Sequence, residues 1–188
     1  AVKTVPTTSG QRELAELLKT ELAELGLVDL EISEFSVLTG KLPANLPAGH
    51  HAVPAVGWVA HLDTVDVCLN ADIHPHVVAN YQGGDICLNE EKQIFLKVSE
   101  HPEIEKYIGQ DIVVSDGTSV LGADDKAAIA NVMVALETLA NDKTIYHGDI
   151  YVCFVPDEEI GLLGAKAIDF EKFPVDFAYT IDCCEQGE

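Results

Sequence analysis

The sequence predicts a layered α/β domain with a mostly parallel mixed sheet flanked by helices. Apolar runs of strand length alternate with stretches of helical period, which is the order that builds such a sheet. The run 55–60 is apolar throughout, as expected of a strand covered on both faces. Acidic residues and one histidine follow directly on several of the runs, at the sheet edge where open α/β folds bind ligands. At 188 residues and 47 % apolar composition, the length favours one domain with an ample core.

Each element has its own signal. Leu14, Leu17, Leu18, Leu22 and Leu25 recur at helical spacing, and Gly26 stops that amphipathic helix. Residues 30–33 alternate like a half-exposed strand, and 35–41 form a second before a loop containing Pro43, Pro47, Gly49 and Pro54. The loop delivers the chain to the core strand 55–60, which runs straight into His61-Leu62-Asp63. From 66 to 100 the pattern weakens; Gly83-Gly84 reads as a turn and 94–98 as a strand, and the rest stays unassigned. A short strand at 111–114 precedes the acidic turn Gly122-Ala123-Asp124-Asp125-Lys126 and then a helix over 127–139, with Ile129, Val132, Met133, Leu136 and Leu139 on its apolar face. The last third repeats the theme: strand 150–155, turn 156–159, helix 160–168, and strand 177–181 leading into Asp182. There is no internal repeat.

The charge balance narrows the partners. Eleven Lys+Arg against 32 Asp+Glu gives a net charge of −21, which argues against nucleic acid and anionic membrane surfaces and makes divalent cations natural company. No run approaches the roughly 18 apolar residues of a membrane span, and residues 1–20 lack a signal-peptide layout, so a cytoplasmic location is expected. The five cysteines are odd in number and without Cys-x-x-Cys spacing, which indicates buried thiols rather than a disulfide framework or zinc finger.

The chemistry centres on Asp124. A carboxylate at a helix start meets unpaired N–H groups and the positive end of the helix dipole, so it stays ionised and fixed in direction, which suits a metal ligand as well as a simple helix cap. His61, Glu158, Glu159 and Asp182 each follow an apolar strand. Singly, each has an ordinary explanation as a surface or capping residue. Together they supply what a two-metal site needs: nitrogen and oxygen ligands, a carboxylate able to bridge, and a free carboxylate near the attacking water. Asp63, two residues beyond His61 in an extended segment, points to the same side and could hold the second imidazole nitrogen. His74 and His76 have a suggestive spacing, but His-Pro-His in a loop needs no ion. Cys183 and Cys184 adjoin Asp182 and could offer thiolates, although strand-flanking cysteines are usually small buried apolar groups.

These segments resemble a known family. His61-Leu62-Asp63-Thr64-Val65-Asp66, Gly122-Ala123-Asp124-Asp125-Lys126, Asp157-Glu158-Glu159-Ile160-Gly161 and Thr180-Ile181-Asp182-Cys183-Cys184-Glu185 are similar to the successive metal-site motifs of the aminotripeptidases, or peptidase T group. That group belongs to the co-catalytic zinc metallopeptidases, with glutamate carboxypeptidase and acetylornithine deacetylase. The likeness runs over nearly the whole chain, including Asp72-Ile73-His74-Pro75-His76, Gly83-Gly84-Asp85-Ile86-Cys87-Leu88-Asn89 and Val98-Ser99-Glu100-His101-Pro102. It implies that Asp124 bridges two zinc ions, with a cis peptide bond after it, that His61 and Asp182 complete one ion, and that Glu159 serves the other. It further implies that Asp63 orients His61 and that Glu158 is the general base, passing a proton from water to the leaving amine. The implied reaction is removal of the N-terminal residue from tripeptides, with short peptides as the partners.

Enzymes of that group are much longer than this chain. The resemblance therefore implies that residues 1–188 are the N-terminal portion of a catalytic domain, without the inserted lid domain, the final part of the catalytic domain and the late histidine that completes the second zinc. On that reading the chain alone has an incomplete second site and little activity. The stretch 66–100 is expected to narrow the substrate cleft or, equally, to be a surface excursion over the core. Two alternatives remain open: a sister zinc deacylase or dipeptidase, and a non-catalytic metal-binding module.

Overall fold

Residues 4–51 and 53–182 are described in the computed structural model. In chain order they form helix α1 (Ser9–Glu24), strands β1 (Val28–Ile32), β2 (Leu38–Leu42) and β3 (Val56–His61), and short strands β4 (His76–Val78), β5 (Ile86–Asn89), β6 (Ile94–Leu96) and β7 (Ile112–Val114). Helix α2 (Ala123–Asn141) and strands β8 (Ile150–Val155) and β9 (Phe177–Thr180) follow. The chain divides into two compact units, one comprising the residues up to Thr64 and from Ala123 onward, the other Val65–Gly122.

The first unit is built on a five-stranded sheet in the order β1-β2-β8-β3-β9. Strand β3 runs parallel to both β8 and β9, and β2 runs antiparallel to both β1 and β8, so the sheet is mixed. Period-two alternation distributes the strand side chains over two cores. Trp58 and Ala60 of β3, Ile150, Val152 and Phe154 of β8, and Leu38 and Leu42 of β2 meet Ala15, Leu18 and Leu22 of α1 and Ala128, Ile129, Val132 and Leu136 of α2. On the opposite face Val59, Cys153 and Val155 pack against Phe173, Ala167, Ile168 and Val175. Burial on both faces is what the unbroken apolar character of β3 and β8 calls for. A Cβ at Gly57 would lie 2.3 Å from the Phe173 ring, so a glycine in β3 lets that ring rest on the strand.

Helix α1 ends as its sequence predicts. Gly26 takes φ +88°, its N–H donates to Ala23 O at 3.0 Å, and the Leu27 N–H donates to Leu22 O at 3.0 Å, which closes the last turn. Helix α2 begins irregularly: Asp124 (φ −82°, ψ 107°) and Asp125 (φ −115°, ψ 20°) are not helical, and the peptide bond between them is cis. Regular helix follows them, in line with the apolar period read from 127 on.

The helix expected over 160–168 is not formed. Its place holds turns and a short 3-10 turn, Ala165–Ala167. The chain leaves β8 and curls back on itself: the Leu163 N–H donates to Asp157 O and the Gly164 N–H to Pro156 O, both at 3.0 Å. Gly161 (φ +110°) and Leu162 (φ +59°) are left-handed, which interrupts any helix. The return requires Gly164, because a Cβ there would meet Pro156 O at 2.2 Å.

The second unit contains two two-stranded antiparallel pairs, β4-β7 and β5-β6, around a small core of Tyr81, Ile86 and Ile104 with Leu88, Leu96, Val98 and Ile112. Strands β6 and β7 match the readings at 94–98 and 111–114, and Gly83 (φ +91°) and Gly84 (φ +83°) make the expected turn. Strands β4 and β5 escaped notice because three or four residues give too little alternation to register. The expectation of buried thiols holds for Cys153, whereas Cys68 and Cys87 are exposed; Cys183 and Cys184 lie outside the described residues. Among the described residues no helix is long and apolar enough to cross a membrane.

Candidate metal centre

Strand register brings the site together. In the parallel ladders His61 pairs with Val155, so β3 and β8 finish at one level, and Val59 pairs with Thr180, so β9 finishes two residues short of it. Glu158 and Glu159 follow Val155 after a short turn, and Asp182 lies two residues past Thr180. The irregular start of α2 presents Asp124 and Asp125 to the same rim.

His61 is 2 % exposed. Its Nε2 lies 3.0 Å from Asp124 Oδ1 and 4.0 Å from Glu158 Oε2. Its Nδ1 faces Asp63 Oδ1 at 3.4 Å, within ion-pair reach but without a well-formed hydrogen bond. The His61 backbone N–H donates to Asp125 Oδ2 at 2.9 Å, and Asp125 is only 1 % exposed. Asp63 also gathers the opposite turn: its Oδ1 accepts the Glu158 N–H at 2.9 Å and its Oδ2 the Glu159 N–H at 3.1 Å. Lys126 Nζ donates to the Asp63 carbonyl oxygen at 2.6 Å and touches Thr64 Oγ1, tying the exit of β3 to α2.

Ligand-capable atoms converge in two sets, each within 4.8 Å: His61 with Asp124, Asp125 and Asp182, and His61 with Glu158 and Glu159. All five of the candidate ligands and base named from the sequence are thus drawn together, with Asp63 beside them. His61 is common to both sets, whereas the resemblance makes Asp124 the shared ligand. His74, by contrast, faces Asp116 at 3.4 Å in the second unit. A cavity of about 370 Å³ opens beside the cluster, with His61, Asp125, Glu158 and Asp182 on its polar side and Leu162, Phe170, Phe173 and Ala178 on its apolar side.

The electrostatics follow from crowding negative charge in a half-dry place. Burial works against a charged imidazole, yet the neighbouring Asp63 and Asp124 outweigh it and push His61 up to about 9. Burial pushes Asp125 up to about 6, opposed by the His61 N–H and reinforced by Asp182 and Asp124. Burial likewise raises Glu158 above the ordinary carboxylate range. Asp63 goes the other way: burial is outweighed by His61 and the two amide donors, and its carboxyl is held below its usual value. Burial lowers Lys126, against the pull of the surrounding carboxylates.

The residues fit a divalent cation. One imidazole and several carboxylates are the hard and borderline donors such ions take, and carboxylates crowded this closely are relieved by a positive charge among them. Two participants were not singled out from the sequence, Asp125 as a buried partner of His61 and Lys126 as a half-buried cross-link. Only their adjacency to Asp124 was visible; the bonds that define them join residues 62–64 positions apart.

Known proteins similar to this chain are peptidases. A family model described as M42 glutamyl aminopeptidase matches residues 89–188. A peptidase T-like protein of Yersinia pestis is 54 % identical over 188 residues, covering 100 % of this chain and 44 % of that protein. Peptidase T of Clostridium novyi is 46 % identical over 183 residues, covering 97 % of this chain and 44 % of that protein. The chain thus spans under half the length of these curated relatives. Among solved structures, a tripeptidase from Staphylococcus aureus superposes with TM-score 0.66 at 25 % identity, covering 98 % of this chain and 40 % of that one. The aminopeptidase PepT of Bacillus cereus superposes with TM-score 0.65 at 28 % identity, with the same coverage of 98 % and 40 %. The chain belongs to the M42 glutamyl aminopeptidase family, and over its whole length its relatives include peptidase T and peptidase T-like proteins.

Proposed function

We propose that the polypeptide carrying this chain is a zinc-dependent aminopeptidase that releases the N-terminal residue of tripeptides. The observation that carries this reading is the convergence of His61 with Asp124, Asp125 and Asp182, and of His61 with Glu158 and Glu159, from distant segments at one sheet rim. The relatives named peptidase T and the neighbour titled a tripeptidase supply the substrate class.

In this reading His61, Asp124 and Asp182 would hold one ion, and Glu159 with Asp124 would contribute to a second. We assign the remaining ligands of the second ion to the part of the relatives that this chain does not span, and read residues 1–188 as the N-terminal portion of the catalytic domain. A bound divalent ion supplies Lewis acidity, bringing the pKa of water towards about 7 and polarising the scissile carbonyl. Asp63 keeps the His61 ring in one orientation from its Nδ1 side. Burial raises Glu158, which makes it a better proton acceptor than a solvated glutamate; as general base its carboxylate would take a proton from the attacking water and return it to the departing amine. The amide bonds to Asp63 fix where that carboxylate starts from.

The test uses the polypeptide of the complete reading frame, loaded with zinc and offered tripeptides, dipeptides and N-acyl amino acids. Tripeptide turnover should dominate, and Glu158→Ala should abolish nearly all of it. Preference for the dipeptides or acyl substrates would replace the tripeptidase reading with a sister enzyme, and normal turnover by Glu158→Ala would remove the base.

A further inference from the structure

Asp157 is a buried acid that the mechanism above does not use. It is 1 % exposed, sits at a left-handed φ of +54°, and immediately precedes Glu158 and Glu159. Its carboxylate is gripped by residues from the start of the chain. The Thr7 N–H donates to Oδ2 at 3.0 Å and Oδ1 at 3.2 Å, the Thr7 hydroxyl donates to Oδ1 at 2.6 Å, and Gln11 Nε2 donates to Oδ1 at 2.8 Å. Gln11 grips the backbone as well, its Oε1 accepting the Asp157 N–H at 2.9 Å. The Asp157 carbonyl in turn accepts the Leu163 N–H at 3.0 Å.

We propose that Asp157, with Thr7 and Gln11, is a positioning clamp that sets the direction of the Glu158–Glu159 turn. A buried carboxylate is costly unless it is hydrogen-bonded, so one held by both Thr7 and Gln11 favours the arrangement that keeps those bonds. Asp63 holds the amides of Glu158 and Glu159 from one side. The clamp holds the residue before them from the other, leaving the two glutamate side chains little freedom to leave the metal rim. Asp157 touches no reacting atom, so its effect passes through Glu158 and Glu159. The proposal rests on the aminopeptidase reading for those two roles.

The geometry suggests its own test. In Asp157→Asn the side-chain amide meets donors where it needs acceptors. Adding Gln11→Glu supplies an acceptor for the new NH₂ while still accepting the backbone N–H at position 157; the remaining amide oxygen keeps the Thr7 N–H, and the Thr7 hydroxyl can turn to accept. In the zinc-loaded complete polypeptide, Asp157→Asn should lower kcat about 10–100-fold with KM nearly unchanged and weaken zinc binding, measured by chelator competition, by a similar factor. The double variant, Asp157→Asn with Gln11→Glu, should recover most of both, and circular dichroism at the assay temperature should show all variants folded. Unchanged kcat and zinc affinity in folded Asp157→Asn, a loss that only tracks the unfolded fraction, or no recovery in the double variant would each overturn the clamp. Should Asp157→Asn not fold, Thr7→Val, which exchanges the hydroxyl for a methyl of similar size, must still lower kcat, and wild-type kcat would overturn the proposal. A wild-type polypeptide without tripeptide turnover would count against the underlying reading, and the zinc-affinity comparison would then decide the clamp by itself.

Discussion

Replacing Asp63 by Asn isolates what one carboxylate contributes to the rim. The substitution preserves size and shape, but two amide donors approach two different oxygens, Glu158 N–H at 2.9 Å and Glu159 N–H at 3.1 Å. Asn can satisfy one of them and turns its NH₂ towards the other. A hydrogen bond to a charged group contributes about 1.5–3 kcal/mol, and a buried donor left unpaired costs about 1–3 kcal/mol. Asp63 is 8 % exposed, so solvent offers little relief, and a loss of about 2–4 kcal/mol follows. For a chain of this size that is a fall in Tm of roughly 5–15 °C, read by thermal unfolding of the metal-loaded protein. The same change loosens the His61 ring from its Nδ1 side, so kcat and metal affinity should drop about 10–100-fold at temperatures where the protein is folded. An Asn variant whose Tm moves by a degree or two and whose kcat stays within a factor of about two would show that the Glu158–Glu159 turn is held by something else, and the argument would fail.

Stripping metal with a chelator should lower Tm, because ligands that bind only the folded state stabilise it by about 2.7 kcal/mol at a concentration of 100 Kd; readdition of zinc should restore the transition, and an unmoved Tm would speak against a tight site. Thiol labelling at pH 8 should modify Cys68 and Cys87 in the native protein but spare Cys153. Burial pushes the Cys153 thiol up to about 12, leaving a thiolate fraction of about 10⁻⁴ at that pH, so labelling of Cys153 before unfolding would contradict its placement.

The core was legible because its elements are long and strongly patterned. The leucine repeat of α1, the period of α2 and the unbroken apolar β3 each state their class without help from neighbours. The candidate site was legible as a set of residues but not as a geometry. That His61 pairs with Val155, and that β9 lies on the other side of β3, are facts of register, which one sequence does not encode locally. The missed helix at 160–168 has a local cause. Leu162, Leu163, Ala165 and Ala167 carry helical propensity, but the backbone bonds of residues 157 and 158 to this stretch close a loop first, and that loop has room only for glycine at position 164.

The Glu158–Glu159 turn explains why so many buried polar contacts collect at one rim. A turn has no ladder of its own to fix side-chain direction, and two adjacent carboxylates repel, so left alone they would splay towards water. General-base work needs the opposite, a carboxylate held within hydrogen-bond reach of one proton. The chain supplies the missing stiffness from far away in sequence: Asp63, 95 and 96 positions earlier, binds the two amides, and Gln11 and Thr7, 146 and 150 positions from Asp157, bind the residue in front. Helix α1 thereby does two jobs. Leu18 and Leu22 cover the sheet, while Gln11, the polar member of its buried face, reaches the residue in front of the Glu158–Glu159 turn. A substitution at Gln11 should therefore disturb turnover more than the loss of any exposed residue on the same helix, such as Leu17, although neither touches the ion or the substrate.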